Sequence, residues 1–317
     1  MCRPPMLALA LLLAAPLAAQ TSDVPRRGTG AQVRIVPAKP VPGALVRVYV
    51  TAPARATLEG ALAGEPLHFS READGRWMSL GGIPIDSADS VALRVTVEFT
   101  GDTTSAGVEW WADTLDRAVT LGPPDYRTES LRVAPEFGRE PDSALTARLA
   151  REAAQAAEVS RTAHETPRLW KGAFALPRPG RVTSRYGTAR QFNGELRSRH
   201  MGTDFAGATG APIRAVNRGV VRLVDRFYLG GNIVYVDHGA GLVTAYLHMS
   251  RTDVAVGDTV QRGQTLGRVG STGRVTGPHL HLIVRYGSIT LDPMTLLPKP
   301  AAAPGPKKPA ARKPASR

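Results

Sequence analysis

Between Ala31 and about Val119 the chain alternates apolar and polar residues in short runs: Gln32-Val-Arg-Ile-Val36, Ala44-Leu-Val-Arg-Val-Tyr-Val50, Val91-Ala-Leu-Arg-Val-Thr-Val-Glu-Phe99 and Val108-Glu-Trp-Trp-Ala112. A period of two is that of a strand with one face buried. Turn-forming clusters separate the runs at Val41-Pro42-Gly43, Ala73-Asp74-Gly75, Gly81-Gly82 and Thr100-Gly101-Asp102. Strands at this spacing predict a small antiparallel sandwich of immunoglobulin-like type over 30–125. No Cys…Trp…Cys signature accompanies it, so the expectation concerns architecture only. His68, the single histidine here, is expected at the surface or on a strand.

The period then changes. Over 138–168, Asp142 and Ser143 can cap a helix, and Leu145, Leu149, Ala153 and Ala156 recur at helical spacing until Pro167. This Ala-rich, charged helix is expected to connect two domains, with His164 exposed near its end. From Trp170 short strands return, punctuated by Gly: Val220–Val224, Ile233–Val236, Leu242–Leu247 and Leu280–Val284. They predict a second all-β domain over 169–298, so the fold class is mainly β.

The two ends read differently. Met1 to Gln20 offers Arg3, an apolar stretch from Met6 to Ala15 and the small residues Ala18 and Ala19, the pattern of a secretory signal peptide over 1–19. No segment reaches the 18 or more apolar residues of a transmembrane helix. Cys2, the single cysteine, precedes the apolar stretch, which excludes a disulfide scaffold and any Cys-ligated metal site. The formal charge is +13, but Lys299, Lys307, Lys308, Arg312, Lys313 and Arg317 lie in a Pro/Ala/Lys tail over 299–317 expected to be disordered. The body is therefore only moderately basic, and no nucleic-acid partner is expected. Trp110, Trp111 and Trp170 are read as packing residues, and His238 as hydrogen-bonded within a turn; Arg190 and Arg199 are candidates for an acidic substrate group.

Five of the seven histidines lie between 200 and 281. His200-Met-Gly-Thr-Asp204 spaces a histidine and a carboxylate four apart, which places both on one side of a helix or of a strand, so either geometry lets them share a cation. In His279-Leu280-His281 a strand sends both imidazoles to one face, and Tyr246-Leu247-His248 is expected to pair Tyr246 and His248 likewise. Catalytic zinc takes three protein ligands of imidazole or carboxylate type plus water, so two histidines and an aspartate meet the count. Two further histidines are then left to orient or deprotonate water.

The segment from about Trp170 to Pro293 resembles the lysostaphin-type, or M23/LytM-domain, zinc metallopeptidases. The resemblance includes flanking segments: Val182-Thr-Ser-Arg-Tyr-Gly187, Gly210-Ala-Pro-Ile-Arg-Ala215, Gly230-Gly-Asn-Ile-Val-Tyr-Val-Asp-His-Gly239, Val256-Gly-Asp-Thr-Val-Gln-Arg-Gly-Gln264 and Gly277-Pro-His-Leu-His281. It implies an antiparallel sheet with an open groove, His200, Asp204 and His281 as ligands of one Zn2+ per chain, His248 and His279 as the catalytic pair, and peptidoglycan peptides as substrate. Some members carry a tyrosine six residues before the first ligand; Gly194 stands there, which turns attention to His248 for stabilising the developing negative charge. The expected activity is that of an exported, periplasmic or envelope-associated endopeptidase. The competing readings are a LytM-type regulator that activates a separate wall amidase, against which all five site positions count, and a wall-binding module. A regulatory protein partner stays open, and oligomeric state is not legible.

Overall fold

The alternation in the first third of the chain builds two four-stranded antiparallel sheets. One runs β1 (Gln32–Val36), β2 (Leu45–Thr51), β6 (Trp77–Gly82), β5 (Ser70–Arg71); the other runs β4 (Glu65–Pro66), β3 (Thr57–Leu62), β7 (Ser90–Thr104), β8 (Gly107–Thr120). Lettered in chain order these are A-B-E-D against C′-C-F-G, the order of immunoglobulin-type sandwiches. Val46, Val48, Val50, Leu62, Leu93, Val95 and Val97 fill the space between them. The computed structural model describes residues 30–104, 107–124, 126–131, 142–192 and 195–299, without the side chains of 100–111, 128–131, 190–192 and 195–198. The expected leader, nearly all of the basic tail, Gly194, and the side chains of Trp110, Trp111 and Arg190 lie outside that set.

Two expected turns are strand instead. β7 continues through Thr100-Gly101-Asp102 with a register shift between Thr100 and Thr103. Gly81 and Gly82 end β6, in a sheet covered on both faces. A Cβ on Gly81 would lie 2.8 Å from Leu62 Cδ2 within the sandwich, and one on Gly82 would lie 3.3 Å from Leu291 Cδ2 on the opposite side. Glycine is required here for close approach of side chains, not for chain reversal. Leu45, Met78 and Leu80 likewise turn away from the sandwich and join the core of the C-terminal part.

The helix α1 (Ser143–Thr162) starts at Asp142, whose carboxylate accepts the Leu145 N–H at 2.7 Å. It does not stand free as a connector: Ala156, Val159 and Ala163 pack on Ile233, Tyr235, Val243 and Ala245. His164 is not exposed as expected. Its Nδ1 lies 2.7 Å from His68 Nε2 and its Nε2 3.1 Å from Glu65 Oε2, so it joins helix to sandwich through a half-buried His68.

After β9 (Thr128–Leu131), β10 (Val182–Ser184), β11 (Ala189–Phe192) and β12 (Glu195–Arg199) come the strands that carry the chemistry: β13 (Thr203–Ala206), β14 (Pro212–Arg214), β15 (Gly219–Phe227), β16 (Gly231–Gly239), β17 (Leu242–Thr252), β18 (Thr259–Val260), β19 (Thr265–Val269), β20 (His279–Tyr286) and β21 (Ile289–Leu291). The main sheet is antiparallel in the order β10-β13-β20-β17-β16-β15-β18. Helix α1 covers one face of β16 and β17 and the larger core, with Val234, Val236, Leu242 and Tyr246, the other. Such strands lose the polar/apolar alternation of a one-sided sheet. His238 belongs to β16 rather than to a turn: fully buried, its Nδ1 donates to Arg218 O at 2.8 Å and its Nε2 lies 2.8 Å from the Thr244 hydroxyl.

Candidate metal centre

β20 alternates strictly, so Leu280, Leu282 and Val284 sink into the core while His279 and His281 point to the other side. Its neighbour β13 places Asp204 directly opposite His281 and Ala206 opposite His279. Directly paired side chains on one face stand close enough to share a ligand. His200 enters just before β13, its N–H donating to Thr188 O at 2.9 Å. Three donor atoms then converge: His281 Nδ1 is 2.7 Å from Asp204 Oδ1 and 2.9 Å from His200 Nε2, and the last two are 3.1 Å apart.

The tautomers follow from the outer contacts. His200 Nδ1 donates to Arg185 O at 2.9 Å, which leaves Nε2 with its lone pair toward Asp204. With His281 in the tautomer that also turns its Nδ1 lone pair inward, two imidazole nitrogens and a carboxylate oxygen within about 3 Å call for a cation among them. For metal bonds of about 2.0 Å a tetrahedral site needs donor separations of about 3.3 Å, so this triangle fits zinc after a small expansion. Burial opposes ionisation of Asp204, but His200 and His281, when protonated on the nitrogens that face it, outweigh burial and hold the carboxyl far below its ordinary range; a cation among the three would act in the same direction. Burial lowers the His281 pKa, favouring the neutral imidazole that a metal requires.

His248 and His279 flank this triangle, with ring centroids 4.9 Å apart. His279 Nδ1 donates to Gly277 O at 2.8 Å and His248 Nδ1 to Thr272 O at 2.9 Å, so each Nε2 carries a lone pair. His279 Nε2 is 3.7 Å from Asp204 Oδ1. Burial, reinforced by His281, lowers the His248 pKa to about 4.

Tyr246 and His248 do not share a face as the alternation predicts. Val234 pairs with Tyr246 and Asn232 with Met249, so β17 carries one residue more than its partner across this step. His248 occupies the resulting bulge at φ +64°. Tyr246 stays fully buried, its hydroxyl accepting the Val216 N–H at 3.0 Å, while His248 turns to the histidine cluster. A left-handed histidine costs on the order of 1–3 kcal/mol and persists only where its surroundings fix it. Gly230 O, accepting the His248 N–H at 2.8 Å, and Thr272 O do so.

Sequence reasoning missed Gly202, whose hypothetical Cβ would lie 2.5 Å from His281 Nε2 and 2.6 Å from Leu282 O. It also missed Gly231, where a Cβ would run into the Thr272 backbone. The glycines beside the motifs were the available signal. Trp170 is buried with the Arg168 guanidinium 3.7 Å above its ring, as a packing residue should be. Arg199 is exposed, 5.9 Å from the Tyr126 ring.

Residues 198–293 match the family model "Peptidase family M23". The peptidoglycan DD-endopeptidase ShyC of Vibrio cholerae is 40% identical over 118 residues, 37% of this chain and 27% of that protein. ShyA of the same organism, also a peptidoglycan DD-endopeptidase, is 49% identical over 88 residues, 27% of this chain and 20% of that protein. The chain thus spans about a quarter of the length of these curated relatives. A crystal structure from Pseudomonas aeruginosa assigned to peptidase M23 aligns with a TM-score of 0.59 at 27% identity, covering 81% of this chain and 94% of that one. That coverage exceeds the C-terminal part, so the likeness in fold extends into the N-terminal sheets.

Proposed function

We propose, from the premise that residues 198–293 form a peptidase family M23 domain, that this chain is an exported zinc metalloendopeptidase of the cell envelope that hydrolyses peptide bonds in peptidoglycan cross-links or stem peptides. The sandwich of 30–125 and the helical segment 138–168 then present the peptidase domain of 169–298 to the wall. The observation that carries the reading is the convergence of Asp204 Oδ1, His200 Nε2 and His281 Nδ1 beside two histidines whose Nε2 atoms are free to accept protons. ShyC and ShyA are peptidoglycan DD-endopeptidases, which supports a peptidoglycan substrate, and the leader-like pattern of 1–19 supports export. Among the described residues no helix is long and apolar enough to cross a membrane.

His200, Asp204 and His281 would hold the zinc. Zinc in such a site supplies Lewis acidity and brings the pKa of water down to about 7. The rest falls to the chain. His279, whose Nε2 lies 3.7 Å from Asp204 Oδ1, would accept the proton of the attacking water and then return it to the leaving amine. His248, kept neutral by burial, presents a second acceptor whose position is set by Thr272 O and Gly230 O. Both rings need only small motions, because their Nδ1–H bonds fix their orientation in advance.

The test is zinc content measured together with muropeptide release from purified sacculi, on the chain from Gln20 onward. One zinc per chain and new uncross-linked muropeptides are expected. His248→Ala and His279→Ala should each lower turnover about 10²–10⁴-fold with zinc retained, and His281→Ala should lose the zinc. One zinc and no product would replace the enzyme by a non-catalytic regulator.

A further inference from the structure

The turn between β15 and β16 is tied to helix α1 outside the matched domain. Glu152, on α1, accepts the Tyr228 N–H with both carboxylate oxygens at 2.9 Å and the Arg148 Nε–H at 2.7 Å. Arg148 Nη2 reaches Arg226 O at 3.3 Å, and its guanidinium lies 5.6 Å from the Tyr228 ring centroid. Between them opens a cavity of about 320 Å³ lined by Arg148, Arg226, Phe227, Tyr228 and Gly273.

This cavity reaches the loop that holds His248 and leads to His279. Gly273 follows Thr272, whose carbonyl holds His248, and a Cβ on Gly273 would meet Gly231 N and Leu229 O. Arg274 N–H donates to Leu229 O at 3.0 Å. One wall of the cavity is therefore the loop that runs into His279.

Its polar groups are mostly donors with capacity to spare. The Arg226 guanidinium is exposed and has no hydrogen-bond or ion-pair partner among the described residues, although Asp225 is its neighbour and accepts its backbone N–H. The acid inside the cluster, Glu152, is already committed to Tyr228 and Arg148. Two guanidinium groups and a Tyr228 that is 38% exposed suit a planar oxoanion.

Resting on the peptidoglycan-peptide reading above, we infer that Arg148, Arg226 and Tyr228 form a subsite for a carboxylate of the bound peptide. Because Arg148 comes from α1, this selectivity belongs to the longer chain and not to the catalytic domain alone. A peptide extending from the histidine cluster past Gly273 would bring a free carboxylate to the unpaired Arg226, and an amidated peptide would leave Arg226 without an anion, while Arg148 keeps Glu152 in either case.

The probes are two synthetic stem peptides, identical except that their side-chain and terminal carboxylates are free in one and amidated in the other. Their binding to the zinc-loaded chain is measured by calorimetry at low and moderate salt, and their hydrolysis is followed in parallel. The free-carboxylate peptide should bind about five- to tenfold more tightly at low salt, with the preference shrinking as salt rises. Arg226→Ala should bring the preference to within about twofold, and Arg226→Lys should restore only part of it. Equal affinities for the wild-type chain, no binding of either peptide, or an unchanged preference in a folded Arg226→Ala chain would overturn the subsite. Absence of cleavage with the preference intact would remove the endopeptidase reading and leave the subsite standing.

Discussion

Substituting Gly202 by alanine should separate metal binding from folding. The new Cβ would lie 2.5 Å from His281 Nε2, 2.6 Å from its Cε1 and 2.6 Å from Leu282 O, roughly 0.8 Å inside ordinary contact. The ring cannot retreat toward the ligand triangle, because its Nδ1 is already 2.7 Å from Asp204 Oδ1. It must rotate, or β20 must slide against β13. Zinc tolerates errors in its bond lengths of only about 0.2 Å, so a shift of most of an ångström costs at least the 10- to 100-fold in affinity typical of disturbing a ligand's support. Overpacking of this kind destabilises by about 1–3 kcal/mol, or about 2–4 °C per kcal/mol for a protein of this size. Chelator competition measures the zinc affinity and a thermal melt of the same preparation measures the fold. A Gly202→Ala chain that melts a few degrees early and binds zinc as tightly as wild type would refute the packing argument for His281.

Gly231→Ala strikes the other half of the site: at φ +62°, with its Cβ aimed at Thr272, it should displace the carbonyl that orients His248. Turnover should fall at least about tenfold with zinc retained, checked by metal analysis beside a muropeptide assay. Leu280→Ala, fully buried between His279 and His281, should cost about 2–5 kcal/mol in urea unfolding while reducing zinc affinity less than Gly202→Ala does. His238 sets a pH dependence. Burial lowers its folded-state pKa from 6.5 to about 4, so the unfolded chain takes up the proton first. Its contribution is complete above about pH 6.5 and is lost as the pH falls toward 4, about 3 kcal/mol in all. Urea unfolding of chelated wild-type and His238→Gln chains at pH 7 and pH 4 should show the smaller acid loss in the variant; equal losses would exclude His238 as a source.

The shared face of His279 and His281 was legible because it depends on the simplest feature of a strand. His279 and His281 lie two residues apart, and their partners Leu280 and Leu282 demand the core, so both imidazoles had to face outward. What escaped depends on long-range contact. His248 is on the site side only because β17 holds one residue more than β16, an excess that no local alternation reports. Gly81-Gly82 reads as a turn until Leu62 and Leu291 are seen pressing on the sheet from opposite sides. His164 seemed an exposed helix end because its partners, Glu65 and His68, are about 100 residues away in sequence.

The same contrast explains how the site is kept rigid without dedicated machinery. Two of the three zinc-type donors, Asp204 and His281, come from paired strands whose alternate residues form the core, and the third, His200, stands just before one of them. The two flanking histidines are instead held by loop carbonyls, Thr272 O and Gly277 O, and His248 also bears a strained backbone. Metal binding should therefore track the integrity of the sheet, whereas turnover should track the loops around Gly231 and Gly273. The loop at Gly231 is fastened from outside the matched domain, through Tyr228 to Glu152 on α1. A chain trimmed of that helix should keep the convergence of His200, Asp204 and His281 and lose a support of the loop that positions His248.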